Sequence, residues 1–223
     1  MKILTNYKGI IWDMDGTLLN TLGDIQGALN ETLAVYGLPA VTAEQTLSYI
    51  GHGARYLCQC ASKLDGDELT RFHNDYRAHS LNRQDAKTHP YPGVPEIIQE
   101  LNARNIKNGI YTNKPMAWCL KLAENFYGSG SFDIAIGTDE RQILKPDPQG
   151  IFDICKHWNV SVDDVIMIGD SDVDYLTAVN GKCRAVCVSW GFRSESVLRE
   201  AGAQTIAANV SQLRQILGLS NPA

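Results

Sequence analysis

The sequence predicts an α/β fold, a Rossmann-like parallel sheet flanked by helices, with an all-helical domain inserted after the first strand. Short apolar runs at Lys8 to Trp12, Ile106 to Thr112, Val165 to Ile168 and Ala185 to Ser189 have the length of strands buried on both faces of a parallel sheet. Stretches with helical spacing separate the later runs, which is the alternation that builds parallel crossovers. Between the first two runs lies far more chain than a crossover needs, and Val94 to Arg104 already supplies the crossover helix. The surplus divides the chain into a core domain, residues 1–20 and 89–223, and an inserted helical domain, residues 21–88.

The first strand runs into Asp13 and Asp15, which alternation in an extended segment points the same way, and Gly16 lets the backbone turn sharply. Like charges that close repel unless a cation or proton lies between them. A bare Asp-x-Asp also reads as a polar strand end followed by a turn.

In the inserted domain, Thr21-x-x-Asp24 reads as a capping box ahead of Leu22, Ile25, Leu29, Leu33 and Tyr36, and Gly37 ends that helix. Thr42-x-x-Gln45 opens a second helix, Ala54 to Lys63 spaces as a third, and Leu69, Phe72, Tyr76 and Ser80 stripe a fourth. Gly51 and Gly53 make a turn before Arg55, a place where backbone N–H groups and a cation can meet a small anion. The alternative is an Arg55 that pairs with a neighbouring acid on the surface. Pro90 and Pro92 stiffen the return path.

Back in the core, Tyr111-Thr112-Asn113-Lys114-Pro115 places a hydroxyl at the end of a buried strand. Pro115 is read in the first turn of the next helix, so that Thr112 and the following N–H groups form an anion site; a helix cap is the plain alternative. In Leu144-Lys145-Pro146-Asp147-Pro148, Asp147 reads as the cap and Pro148 as the first residue of a helix from Gln149 to Trp158, leaving Lys145 on a stiff loop as a point charge. The strand from Val165 ends in Gly169-Asp170-Ser171-Asp172-Val173-Asp174, where Ser171 and Asp174 fit a capping box. Asp13, Asp15, Asp170 and Asp174 on one sheet edge would repel as a bare cluster, and hard oxygen ligands beside an anionic substrate are what a Mg2+ site uses. A helix from Ser194 to Ala201, a strand from Thr205 to Ala207 and a helix from Gln212 to Leu217 complete the alternation.

Composition excludes several roles. With 223 residues and a net charge of -5 there is no basic footprint for nucleic acid, so an anionic substrate must be held by local groups. No apolar run approaches a membrane span, and the opening residues lack an apolar signal core. The 6 cysteines lack the spacing of a disulfide scaffold, and Cys58 and Cys60 have no second pair at ligand spacing, so the expectation is a reduced, cytoplasmic protein. The oligomeric state is not legible.

Asp13-x-Asp15-Gly16-Thr17, Thr112, Lys145 and Gly169-Asp170 with Asp174 resemble, in order, the motifs of the haloacid dehalogenase (HAD) superfamily, and the resemblance covers essentially the whole chain. It implies a HAD core with a small helical cap acting as a lid that closes over the site and selects the substrate. It further implies Asp13 as nucleophile and Asp15 as general acid and base, with Thr112 and Lys145 catalytic, and Mg2+ held by Asp13, Asp170 and the Asp15 carbonyl. Asp174 would orient a metal-bound water or Lys145, and Thr112, Asn113, Lys145, Gly51 and Arg55 would bind substrate. The stretches Gly51 to Arg55, Tyr91 to Val94, Thr112 to Pro115 and Gly169 to Ser171 are similar to bacterial phosphoglycolate phosphatases, which implies 2-phosphoglycolate hydrolysis through an aspartyl phosphate. Another small phosphorylated metabolite, a nucleotide, pyrophosphate, or a sugar phosphomutase reaction on the same core are the alternatives. Trp12 stands where the family usually has Phe, and Asn20 where it often has Asp; neither is a catalytic position.

Overall fold

The computed structural model describes residues 3–83, 87–138 and 143–220. The chain forms two compact units, Met1–Leu19 with Pro90–Ala223, and Asn20–His89. No helix among the described residues is long and apolar enough to cross a membrane.

The first unit is an α/β core. Its strands are β1 (Gly9–Trp12), β4 (Lys107–Pro115), β5 (Ile134–Thr138), β6 (Val165–Gly169), β7 (Arg184–Val188) and β8 (Ile206–Ala207), all parallel in the order β5-β4-β1-β6-β7-β8. Between and after them run α5 (Val94–Ala103), α6 (Met116–Tyr127), α7 (Gln149–Trp158), α8 (Asp172–Asn180), α9 (Glu195–Glu200) and α10 (Val210–Ile216). Strand β1 is central and wholly buried, and its side chains divide by alternation. Ile10 and Trp12 pack with Val94, Ile97, Ile98 and Leu101 of α5, while Ile11 packs with Ile151 and Ile154 of α7 on the other face. Trp12 is tolerated in this dry layer because its indole N–H donates to the Asn108 side-chain oxygen at 2.9 Å.

The second unit is helical: α1 (Leu22–Val35), α2 (Ala43–Tyr49), α3 (Ala54–Ser62) and α4 (Gly66–Asn82). Leu29, Leu33, Leu57, Phe72 and Tyr76 are buried within it, and the Tyr36 and Phe72 rings meet edge-on at 5.0 Å. Where the chain passes between units, β2 (Leu19–Asn20) pairs with β3 (His89–Pro90).

Local signals held where the side chain had no better partner. Thr42 and Gln45 make the expected capping box. Thr21 and Asp24 do not: Asp24 turns instead to the return segment, where one carboxylate oxygen accepts from Lys87 N–H at 3.2 Å, Thr88 N–H at 2.8 Å and Thr88 Oγ1 at 2.6 Å. Pro115 is not inside a helix. Strand β4 extends through it, its register with β5 shifts between Tyr111 and Pro115, and α6 begins at Met116. Strand β5 carries only half-buried residues, which is why its short run did not stand out as a strand. Pro148, not Asp147, is the cap of α7, although the Asp147 carboxylate still accepts from Gln149 N–H at 2.8 Å.

Candidate active site

The site lies at the carboxyl edge of the sheet. Asp13 continues β1, its N–H donating to Ile168 O at 2.9 Å. Gly16 then turns the chain at φ +88°; a Cβ there would lie 2.2 Å from the Asp170 carboxylate, so only glycine fits.

Asp174 comes from the first turn of α8. Its Oδ2 accepts from Ser171 N–H at 3.1 Å and Ser171 Oγ at 2.6 Å, completing the predicted capping box, and its Oδ1 accepts from Lys145 Nζ at 2.5 Å. Lys145 Nζ also lies 2.7 Å from Asp13 Oδ1, so a buried ammonium is clamped between two carboxylates. The loop carrying Lys145 is fixed at several points. Asn113 accepts from Lys145 N–H at 2.8 Å and donates to Lys145 O at 3.1 Å, and Tyr111 Oη donates to Asp147 O at 2.7 Å.

Asp170 is held from two sides, by Thr17 Oγ1 at 3.1 Å and by Phe192 N–H at 2.6 Å. The loop after β7 reaches it because residue 191 is glycine: a Cβ there would fall 2.3 Å from both Asp170 Oδ2 and Gly16 O. One carboxylate oxygen from each of Asp13, Asp170 and Asp174 lies within 4.8 Å of the others.

Charge is unbalanced here. Burial above all, then the nearby Asp174 charge, pushes the Asp13 carboxyl up to about 7 despite Lys145. Burial, then Asp174 and Asp13, raise Asp170 well above the carboxylate range. Burial pulls Lys145 down, but the charges of Asp13 and Asp174 outweigh it and raise its pKa. Three buried carboxylates against one ammonium leave two negative charges when all are ionised, and hard oxygen donors in that number suit a divalent cation.

Of the residues singled out in the sequence, Asp13, Lys145, Asp170 and Asp174 converge. The Asp15 side chain turns aside to an ion pair with Lys114 Nζ at 2.9 and 3.2 Å. Thr112 is buried at the edge, with its hydroxyl accepting from Lys114 N–H at 3.3 Å, and no helix N-terminus follows it directly. Asn113 spends both amide atoms on the Lys145 backbone. Gly51 and Gly53 have φ of +116° and +85°, the turn expected of them, in the helical unit. Arg55 there is exposed and donates to Thr70 Oγ1 at 3.3 Å, a hydroxyl rather than an acid. Sequence reasoning missed the parts played by Lys114, Thr17 and the Trp190-Gly191-Phe192 loop. A glycine between aromatics just past a buried strand was the available signal for the last.

The model of haloacid dehalogenase-like hydrolases matches residues 10–188, from the first strand through β7. The chain belongs to this family. Membership makes it a hydrolase, and it is similar over nearly its full length to enzymes named phosphoglycolate phosphatase. The one from Photobacterium profundum is 29% identical, with 99% of this chain and 100% of that protein covered; the one from Vibrio parahaemolyticus is 27% identical, with 96% and 98% covered. A crystal structure of a candidate phosphoglycolate phosphatase from Lactobacillus delbrueckii subsp. bulgaricus has a TM-score of 0.88 at 28% identity, covering 96% of this chain and 100% of that one. The family's α/β architecture is thus the one observed here.

Proposed function

We propose that the protein is a Mg2+-dependent phosphatase that hydrolyses a small phosphate monoester, 2-phosphoglycolate, through an aspartyl-phosphate intermediate. The observation that carries this reading is the buried group of Asp13, Lys145, Asp170 and Asp174 at the carboxyl edge, where open α/β sheets bind ligands. The names of the full-length relatives support the choice of substrate.

In this reading an Asp13 oxygen attacks phosphorus in line as the bond to the leaving oxygen breaks, and Asp15 gives that oxygen its proton. Asp15 then takes a proton from the water that attacks the phosphorus of the aspartyl phosphate, releasing phosphate and restoring Asp13. Lys145 and Thr112 hold the phosphoryl oxygens, and Asp174 and Asn113 keep Lys145 in place. The Asp13 and Asp170 carboxylates with the Asp15 carbonyl would hold Mg2+, which supplies positive charge to the phosphoryl group when bound. Gly51 and Arg55 would add contacts to the substrate's carboxylate.

The test compares kcat/KM for 2-phosphoglycolate, pyrophosphate, nucleotides and sugar phosphates, with and without EDTA. We expect free phosphate as product, the highest value for 2-phosphoglycolate, loss of activity in chelator and its return with Mg2+. Asp13→Asn is expected to remove turnover and the phosphoenzyme together; substantial turnover in that variant would mean another nucleophile.

A further inference from the structure

The mechanism uses Asp15 but leaves its partner without a task. Lys114 Nζ lies 2.9 Å from Asp15 Oδ1 and 3.2 Å from Oδ2, and only 9% of its side chain is exposed. It is placed there by the irregular end of β4, where the register against β5 shifts between Tyr111 and Pro115; such an irregularity re-aims a side chain. Strand β5 backs it closely, since a Cβ on Gly137 would fall 2.6 Å from Lys114 O. The ammonium also lies over the Trp118 ring, 5.9 Å from its centroid. A largely desolvated lysine fixed by strand, aromatic ring and carboxylate is a built feature, unlike a lysine in solvent.

An ammonium has three N–H donors, and Asp15 takes two. The third is not committed to Asp15. A residue that protonates the leaving oxygen must come within about 2.6–3.2 Å of it. Lys114 is one hydrogen bond beyond that residue, so its ammonium comes within about 6 Å of the leaving oxygen, close enough to reach a group one or two bonds further on. In 2-phosphoglycolate that is a CH2 bearing a carboxylate, two bonds from the leaving oxygen.

We propose that Lys114 determines specificity by binding the carboxylate of the leaving group, so that the same ammonium holds the general acid and reads the substrate's anionic tail. This rests on the phosphatase reading of the site and deepens it: the preferred substrates are phosphate monoesters with an anionic group two bonds from the bridging oxygen.

The experiment compares kcat/KM for 2-phosphoglycolate with that for ethyl phosphate, which has the same chain length and an alkoxide leaving group but no carboxylate. It uses the wild type, Lys114→Met, Lys114→Gln and Lys114→Arg, each checked for folding by circular dichroism. The wild type is expected to favour 2-phosphoglycolate. In the two neutral variants the ratio should fall by roughly tenfold or more, mainly through KM for 2-phosphoglycolate, and Lys114→Arg should restore most of it. Equal losses on both substrates would reduce Lys114 to a support for Asp15 and overturn the inference. So would a wild type that hydrolyses phosphate esters without preferring the anionic tail, or a ratio that falls in Arg55→Ala and not in Lys114→Met. The first and third outcomes leave the proposed function standing, and the second leaves phosphate-ester hydrolysis but not the choice of 2-phosphoglycolate; a wild type inactive on every phosphate ester overturns both.

Discussion

A buried ammonium between two carboxylates tolerates no missing partner, and Lys145 is held in that way by Asp13 and Asp174. With Asp170 added, the group is short of positive charge, and the sign of the consequence can be worked out. The Asp13 carboxyl titrates near 7 in the folded protein, above its unfolded value of about 3.9, so ionising it costs the native state stability. Without metal, the protein should therefore lose stability as pH rises from about 4 to about 7, and Asp170 acts in the same direction. A divalent cation binds the ionised form and opposes that loss. Differential scanning fluorimetry should show a larger rise in Tm with millimolar Mg2+ at pH 8 than at pH 5. Equal rises, or none, would mean that the cation does not bind this group.

Among the elements, the segments after the strands carry the clustered carboxylates and Lys145, and glycine decides how closely they approach. Gly191→Ala puts a Cβ 2.3 Å from both an Asp170 oxygen and Gly16 O, so the loop must move and Phe192 N–H must leave Asp170. We expect kcat/KM to fall tenfold or more and the Mg2+-dependent rise in Tm to shrink, with far-UV circular dichroism unchanged. These loops also show where sequence reading stops. Asp13 and Asp170 were legible because each ends an apolar run, Lys145 because it sits on a proline-stiffened turn, and Asp174 because it fits a capping box with Ser171. The Lys114 to Asp15 ion pair was not, since it depends on a register shift that no local pattern encodes. Thr21 with Asp24 shows the converse: a sound local capping signal lost to three donors from residues 63 and 64 positions away. The four helices of the second unit were readable from apolar spacing, whereas the edge strand β5, half-buried throughout, gave no such contrast.

At the scale of the whole molecule, two units with separate cores allow one to be perturbed without the other. Asp24 is the place to do so. Burial raises its pKa, but hydrogen bonds from Thr88 and Lys87 and the Arg83 charge hold it below the ordinary carboxylate value. Its stabilisation is thus present above about pH 4 and lost as pH falls through the lowered folded value. Asp24→Asn should cost about 1–3 kcal/mol. Hydrogen exchange should quicken in α1 and at Thr88, while the amides of β1 and β6 stay protected. Uniform acceleration would mean that the units unfold as one. The strand order bears on synthesis as well. Strand β1 finds its neighbours only in β4 and β6, and Thr17 is 153 positions from the Asp170 it bonds. On the ribosome, Asp13 therefore emerges long before the residues that surround it. A growing chain carries Asp13 as an ordinary acid in water, and the burial that raises its pKa comes only once strands from both sides of the sheet have been made.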